Sequence, residues 1–444
     1  MITAPICEFV RRYRYSGALR MHMPGHKGTA LLGPEPLDLT EIEGADVLYH
    51  AEGIIRESEA NAAVLFGTKK TVYSAEGSSL CIRAMLYLAL LHARANHKEP
   101  VIAAGRNAHK VFMTAAALLD LDIRWIYGTE SVISCAITPA QLEDVIVSEN
   151  PAAVYITSPD YLGNIADIKS LSTVCKKHGV LLLVDNAHGA YLHFLPEPMH
   201  PMQLGADICC DSAHKTLPVL TGGAYLHIAH GTPDMFAQRA ESAMALFAST
   251  SPSYLILQSL DAMNPLLATS FPAQLKACAE RLDTLKAKLR AHGYALCGEE
   301  RTKLCLLPKS FGYTGTALTE ILTHHNIYCE FSDADHLVMM FTPETTPADF
   351  ARLERALLSV LPAPAILSKP PVPPHAERIL SPREALFSPS ETLPLSECEN
   401  RILADANVSC PPAVPLAVCG ERLTPEVISA MEYYGTEHCT VVVE

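Results

Sequence analysis

The 444-residue sequence has no excess of positive charge: 34 Lys+Arg face 48 Asp+Glu, for a net charge of −14. No global positive field exists to attract nucleic acid or an anionic membrane, so neither is expected as a partner. Its 14 cysteines include no CxxC pair, which leaves no readable zinc cage or thioredoxin-like dithiol. They read as buried thiols of a reducing compartment. Long apolar runs are missing too. The longest, around Ala84–Leu91, is far short of a membrane span. Met1–Glu8 lacks a basic region followed by an apolar stretch, so a soluble cytoplasmic protein is expected. No internal repeat is visible. What the chain does have is core: 49% hydrophobic against 18% charged residues is globular composition, with length enough for two or three domains.

From Thr71 to about Ile228, short β-branched runs alternate with amphipathic stretches of helical length, the pattern of an α/β fold with a mostly parallel sheet. Strands are expected at Thr71–Ser74, Val101–Ala104, Asp122–Tyr127, Ala153–Thr157, Val180–Asp185, Asp207–Asp211 and Gly223–Ile228. Helices are expected at Leu80–Ala95, Pro139–Ser148 and Ile168–His178, the last stopped by Gly179. After about Ser249 the texture becomes that of a small α+β domain. It holds a helix from Pro272 to Gly293, strands at Lys303–Leu307, Tyr328–Phe331 and His336–Phe341, a helix near Thr316–His325, and a last helix opened by Thr346 and Pro347. Pro362, Pro364, Pro370, Pro371, Pro373 and Pro374 mark a semi-rigid connector. The organisation expected is therefore an N-terminal segment (1–70), a large domain (71–250), a small domain (251–361), a linker (362–384) and a short C-terminal domain (385–444).

The segment Asp207–Leu217 carries the most chemistry. Lys215 follows a strand and sits among Ser212, His214 and Thr216, small donors suited to a phosphate, with Gly222 and Gly223 close behind. A desolvated lysine in such company can be an imine-forming nucleophile; a lone lysine would be read as a surface residue. Asp185 closes the apolar run Val180–Val184 at the edge where open α/β sheets bind ligands. A buried carboxylate there needs a positive partner, which a protonated pyridine nitrogen would supply; an N-cap or a structural ion pair is the plainer alternative. Val184–His188 superficially resembles the acidic strand of a nucleotide hydrolase, but no GxxxxGK[ST] loop precedes it. Gly77-Ser78-Ser79 joins a strand to a helix, an arrangement for anions that also serves ordinary caps. His109 offers a flat ring at another strand end, and Asp160 with Asn164 occupy a Pro/Gly loop at a third. His22 and His26 flank Pro24-Gly25 without an identifiable third ligand, so no metal site is expected. His324-His325 ends a helix, where imidazole suits the dipole.

Taken in order, Met23–Gly28, Gly77–Ser79, Arg106–Lys110, Thr157–Tyr161, Asp185–Gly189, Ser212–Leu217 and Thr250–Tyr254 resemble the Orn/Lys/Arg decarboxylase family of fold-type-I enzymes dependent on pyridoxal 5′-phosphate (PLP). The likeness runs from about Arg20 to Asp261 and resumes at Ser381–Ala385 and Cys410–Arg422. It implies PLP as cofactor, held as an imine by Lys215, with Asp185 paired to the ring nitrogen. His109 would stack on one ring face and Ala187 on the other, with His188 near the phenolic oxygen or the substrate carboxylate. Gly77, Ser78, Ser79, Ser212 and His214 would bind phosphate. The resemblance also implies a homodimer with shared active sites, Ser251 or Ser253 reaching the neighbour's phosphate. The reaction implied is loss of carbon dioxide from lysine, ornithine or arginine to leave the amine.

The sequence departs from the family at Asn186, where glutamate is usual, at Gly222, where glutamine is common, and at Cys410 and Ala413, which replace tyrosine and glycine. The segment Ala45–His50 departs as well, and no extra N-terminal regulatory domain is seen. Glu41, Glu43, Glu52 and Glu421 are acids that could meet a substrate's distal cation, though glutamates are common on surfaces and each reads more readily as one of those. Two other readings stay open. One is a different PLP reaction on this scaffold, aminotransfer or β/γ-elimination. The other is a non-catalytic homologue that binds partners.

Overall fold

The short β-branched runs become strands where their spacing places them: β1 Lys70–Ser74, β2 Val101–Gly105, β3 Asp122–Ile126, β4 Ala153–Thr157, β5 Leu181–Asp185, β6 Ile208–Asp211 and β7 Ala224–Ile228. Helices α1 Pro5–Tyr15, α2 Ile54–Phe66, α3 Gly77–Ala95, α4 Lys110–Leu119, α5 Pro139–Glu149 and α6 Ile168–His178 accompany them. This computed structural model describes residues 2–128, 136–372, 375–410 and 414–443. Pro373 and Pro374 of the connector and Ala413 of the last motif lie outside the described residues, as does the side chain of Cys410. The chain divides into two units, 1–98 with 168–274 and 99–167 with 275–444.

In the first unit the strand order is β1-β7-β6-β5. β5 and β6 are parallel, while β7 runs antiparallel to both β6 and β1. Every residue of β5 is buried, as expected of a strand whose apolar residues run without alternation because both faces are covered. α6 ends at His178, and Gly179 follows at φ +65°, the left-handed conformation that a side chain would strain. α3 starts at Gly77, three residues before the expected Leu80: the glycine and serines that read as a loop form its first turn. α1, α2 and a helix at Tyr254–Leu267 pack on one another. Buried Asp261 of the last accepts the Cys7 amide at 2.8 Å and the Ser58 hydroxyl at 2.5 Å.

In the second unit β4, β2 and β3 are parallel in that order. A separate antiparallel sheet, ordered β10-β11-β9-β8, is built from β8 Ala295–Cys297, β9 Lys303–Leu307, β10 Phe331–Ser332 and β11 Leu337–Met340. The strand expected from Tyr328 begins only at Phe331, since Tyr328 is 80% exposed and has no sheet face to bury. The helix Pro347–Leu358 is closed by a capping box in which Thr346 Oγ1 accepts the Asp349 amide and Asp349 accepts the Thr346 amide. Leu395, Leu403, Leu416, Leu423 and Val441 share one apolar cluster with Leu162, Cys305, Phe331 and Val338. The C-terminal stretch thereby completes its core by packing on β9–β11 rather than by itself. Among the described residues no helix is long and apolar enough to cross a membrane.

Candidate active site

β5 and β6 are parallel neighbours, so their C-terminal ends open on one edge, and each ends in a buried aspartate. Asp185, 2% exposed, accepts the Ala187 amide at 3.2 Å and lies 3.6 Å from the Cys210 thiol. The turn that follows is tight. Gly189 donates its amide to Asn186 O, and a Cβ on Gly189 would fall 2.0 Å from Asn186 Oδ1. The turn delivers His188, also buried, whose Nε2 lies 3.2 Å from Lys215 Nζ. Lys215 itself sits on the single helical turn Ala213–Thr216 directly after β6. Three of the residues expected to be catalytic thus come from the ends of two adjacent strands.

Beside them the expected phosphate residues assemble. Ser212 Oγ and Ser78 Oγ are 2.8 Å apart, linking the lysine turn to the start of α3. The Gly77 amide donates to Gly222 O at 2.6 Å. Glu76, at the N-cap of α3, places no side-chain bond on the first-turn amides, so beyond Gly77 the amides of Ser78 and Ser79 stand at the positive end of the helix without a side-chain cap. His214 Nδ1 lies 3.0 Å from Gly223 O and therefore carries its proton. Burial chiefly, with the Lys215 charge adding, lowers the His214 pKa, so its Nε2 is a lone pair until an anion draws a second proton to the ring. Ser79 is half-buried in the same turn. The Ser249 amide donates to Glu76 Oε1 at 2.7 Å, which anchors the run to Ser251, exposed, and Ser253, the N-cap of Tyr254–Leu267.

The second unit holds the remaining candidates. His109 is the N-cap of α4, and its Nδ1 accepts the Val111 amide at 3.2 Å. Asp160 takes the Asn164 amide and side chain at 2.9 and 2.7 Å, an interaction that shapes their own loop. Glu421 is 1% exposed and occupied by Arg106 at 2.8 Å and the Val418 amide at 2.9 Å, which removes it as a receptor for a substrate cation. In the first unit Glu41, Glu43 and Glu52 are exposed. His22 contacts Tyr13 and His26 contacts Asp38, so the two histidines share no centre.

The family model for Orn/Lys/Arg decarboxylase, major domain, matches residues 4–296. The chain belongs to the Orn/Lys/Arg decarboxylase family. Arginine decarboxylase of Bacillus subtilis is 30% identical over 463 aligned positions, covering 96% of this chain and 92% of the relative. Arginine decarboxylase of Halalkalibacterium halodurans is 28% identical, over 95% and 91% of the two chains. The lysine decarboxylase structure of Francisella novicida superposes with a TM-score of 0.80 at 16% identity, covering all of this chain and 81% of that one. This decarboxylase therefore has the expected α/β fold.

Sequence reasoning missed a polar core that adjoins the candidate site through Asn186. Asp211, 0% exposed, accepts His200 Nε2 at 2.9 Å, His227 Nε2 at 3.2 Å and Asn186 Nδ2 at 2.7 Å. Asp211 carried a signal, a charge inside a buried strand, but the histidines come from other elements. Asn186 faces this carboxylate, and an acid in its place would meet like charge at hydrogen-bond range.

Proposed function

We propose that the decarboxylase uses PLP anchored on Lys215 to convert a basic L-amino acid, arginine, lysine or ornithine, to its amine and carbon dioxide. The observation that carries this reading is Lys215 Nζ held 3.2 Å from His188 Nε2 at the strand edge that buries Asp185. The donor set fits the cofactor. Uncapped amides of α3 with the Ser78 and Ser212 hydroxyls suit a phosphate, and a buried carboxylate at 185 suits a protonated ring nitrogen. When bound, PLP supplies an electron sink for the pair left on Cα as carbon dioxide departs.

The protein's own residues do the rest. Asp185 holds a proton on the ring nitrogen. His188 stands close enough to exchange a proton with the Lys215 amine. Ala187 is small enough that a flat ring would fit against its turn, and His109 is the aromatic residue the resemblance implies as a further support for it. Residues that fix the substrate carboxylate in place would select decarboxylation among the reactions the group can support. Arginine heads the substrate list because two relatives aligned along most of their length bear the name arginine decarboxylase. The homodimer with Ser251 or Ser253 serving the neighbour's phosphate, and a cytoplasmic location, complete the proposal.

Incubation of PLP-loaded protein with each amino acid should release amine and carbon dioxide in equal amounts, and Lys215→Ala should abolish both. Keto acid without gas would favour aminotransfer, ammonia with a keto acid would favour elimination, and protein that takes up no PLP would favour the non-catalytic reading.

A further inference from the structure

We propose that Asp211 is a positioning residue for Lys215, a buried carboxylate that ties the turn bearing Asp185 and His188 to the turn bearing the lysine. This rests on the proposed role of Lys215. Besides the two histidines and Asn186, Asp211 Oδ1 lies 3.5 Å from the Cys209 thiol, so both oxygens face donors. The donors are fixed from behind. His200 Nδ1 accepts the Met202 amide at 3.3 Å, which puts the ring proton on Nε2, toward the carboxylate. His227 Nδ1 is 2.9 Å from Thr71 Oγ1, itself 2.8 Å from Thr68 Oγ1. The Asn186 amide donates to Cys210 O at 2.9 Å.

Burial alone would raise the Asp211 pKa, but the two histidines hold it well below the usual carboxylate range, while burial lowers His227. The group is thus an anion held by the donors of His200, His227, Asn186 and Cys209. β7 through His227, the turn after β5 through Asn186, and His200 all meet on this residue of β6, with Thr71 of β1 behind His227, and four residues after it comes Lys215. Shifting Asp211 would therefore move Lys215 relative to His188, whose separation the proposed proton exchange requires.

A metal centre is the other chemistry these atoms suggest, since donor atoms of His200, Cys209 and Asp211 lie within 4.8 Å of one another. The proton on His200 Nε2 argues against it: a nitrogen that donates to the carboxylate has no lone pair for a cation.

The test is an exchange cycle of Asp211→Asn, Asn186→Asp and the double variant, which returns the carboxylate to the other side of the same hydrogen bond. Three quantities are read: the melting midpoint without cofactor, the affinity for PLP, and the pH at which the visible band of Lys215-bound PLP titrates. Each single variant should weaken PLP uptake by about tenfold and shift the band titration, and the double variant should recover most of both. A single Asp211→Asn that melts lower yet binds PLP and titrates like the wild type would overturn the proposal, as would a double variant no better than the worse single. One equivalent of zinc in the purified protein would overturn it too. If the wild type carries PLP on Lys215 but makes no amine, the proposed function fails while the cycle still decides this inference. Wild type that takes up no PLP overturns both.

Discussion

Lys215, His188 and Asp185 owe their proposed chemistry to where two strands end rather than to any unusual residue type. Asp185 and Lys215 were legible in the sequence because an acid closing an apolar strand and a lysine among small donors are local patterns. His200 and His227 were not, since only the tertiary fold brings them to Asp211 from 11 residues before and 16 after. Gly222 is a departure from the family that the structure explains. It sits at φ +100°, a Cβ would fall 2.9 Å from Ala75 O, and its carbonyl holds the Gly77 amide. Gly222→Ala should cost about 1–3 kcal/mol by thermal unfolding and weaken PLP binding in titration. An unchanged midpoint together with unchanged PLP affinity would show that this turn does not shape the phosphate cup. Ser212→Ala removes one hydroxyl of the pair with Ser78, so PLP affinity should fall while the melting midpoint of the cofactor-free protein changes little. A loss of stability without loss of affinity would contradict the phosphate assignment.

At the scale of elements, the docking of α1 hangs on Asp261, which burial raises to about 6 against the opposing pull of Ser58 and the Cys7 amide. An acid whose pKa rises on folding gives stability that is complete below its unfolded value, about 3.9, and lost as pH climbs through the folded one. Asp261→Asn cannot ionise, so its melting midpoint should gain on that of the wild type between pH 4 and pH 7. Parallel curves across that window would contradict the account. The α/β strands were readable to within a residue or two at their ends because buried β-branched runs bounded by helical periods leave few alternatives. β10 was overextended because its sequence resembles a strand where the structure supplies no second face to cover Tyr328. The start of α3 was placed late for the opposite reason: glycine and serine look like loop, yet here they make the first helical turn, the one assigned to the proposed phosphate cup.

For the whole molecule, the family sets the reaction class and the charge of −14 disfavours polyanionic partners. A shared active site makes a specific demand. If Ser251 or Ser253 serves the neighbour, inactive Lys215→Ala protein mixed and reassembled with an inactive Ser251→Ala/Ser253→Ala protein should regain activity. At equal mixing, about half of the dimers are hybrid and each carries one intact site, so roughly a quarter of wild-type activity should return. No recovery after verified subunit exchange would confine each site to one chain. The most direct test of the central claim is to feed carboxyl-labelled arginine, lysine and ornithine to PLP-loaded protein, then trap the cofactor with borohydride and map it. The account predicts labelled carbon dioxide matched by amine from at least one of the three, with the reduced cofactor on Lys215. Activity with the label on another lysine, or cofactor on Lys215 with no gas from any of them, would contradict it.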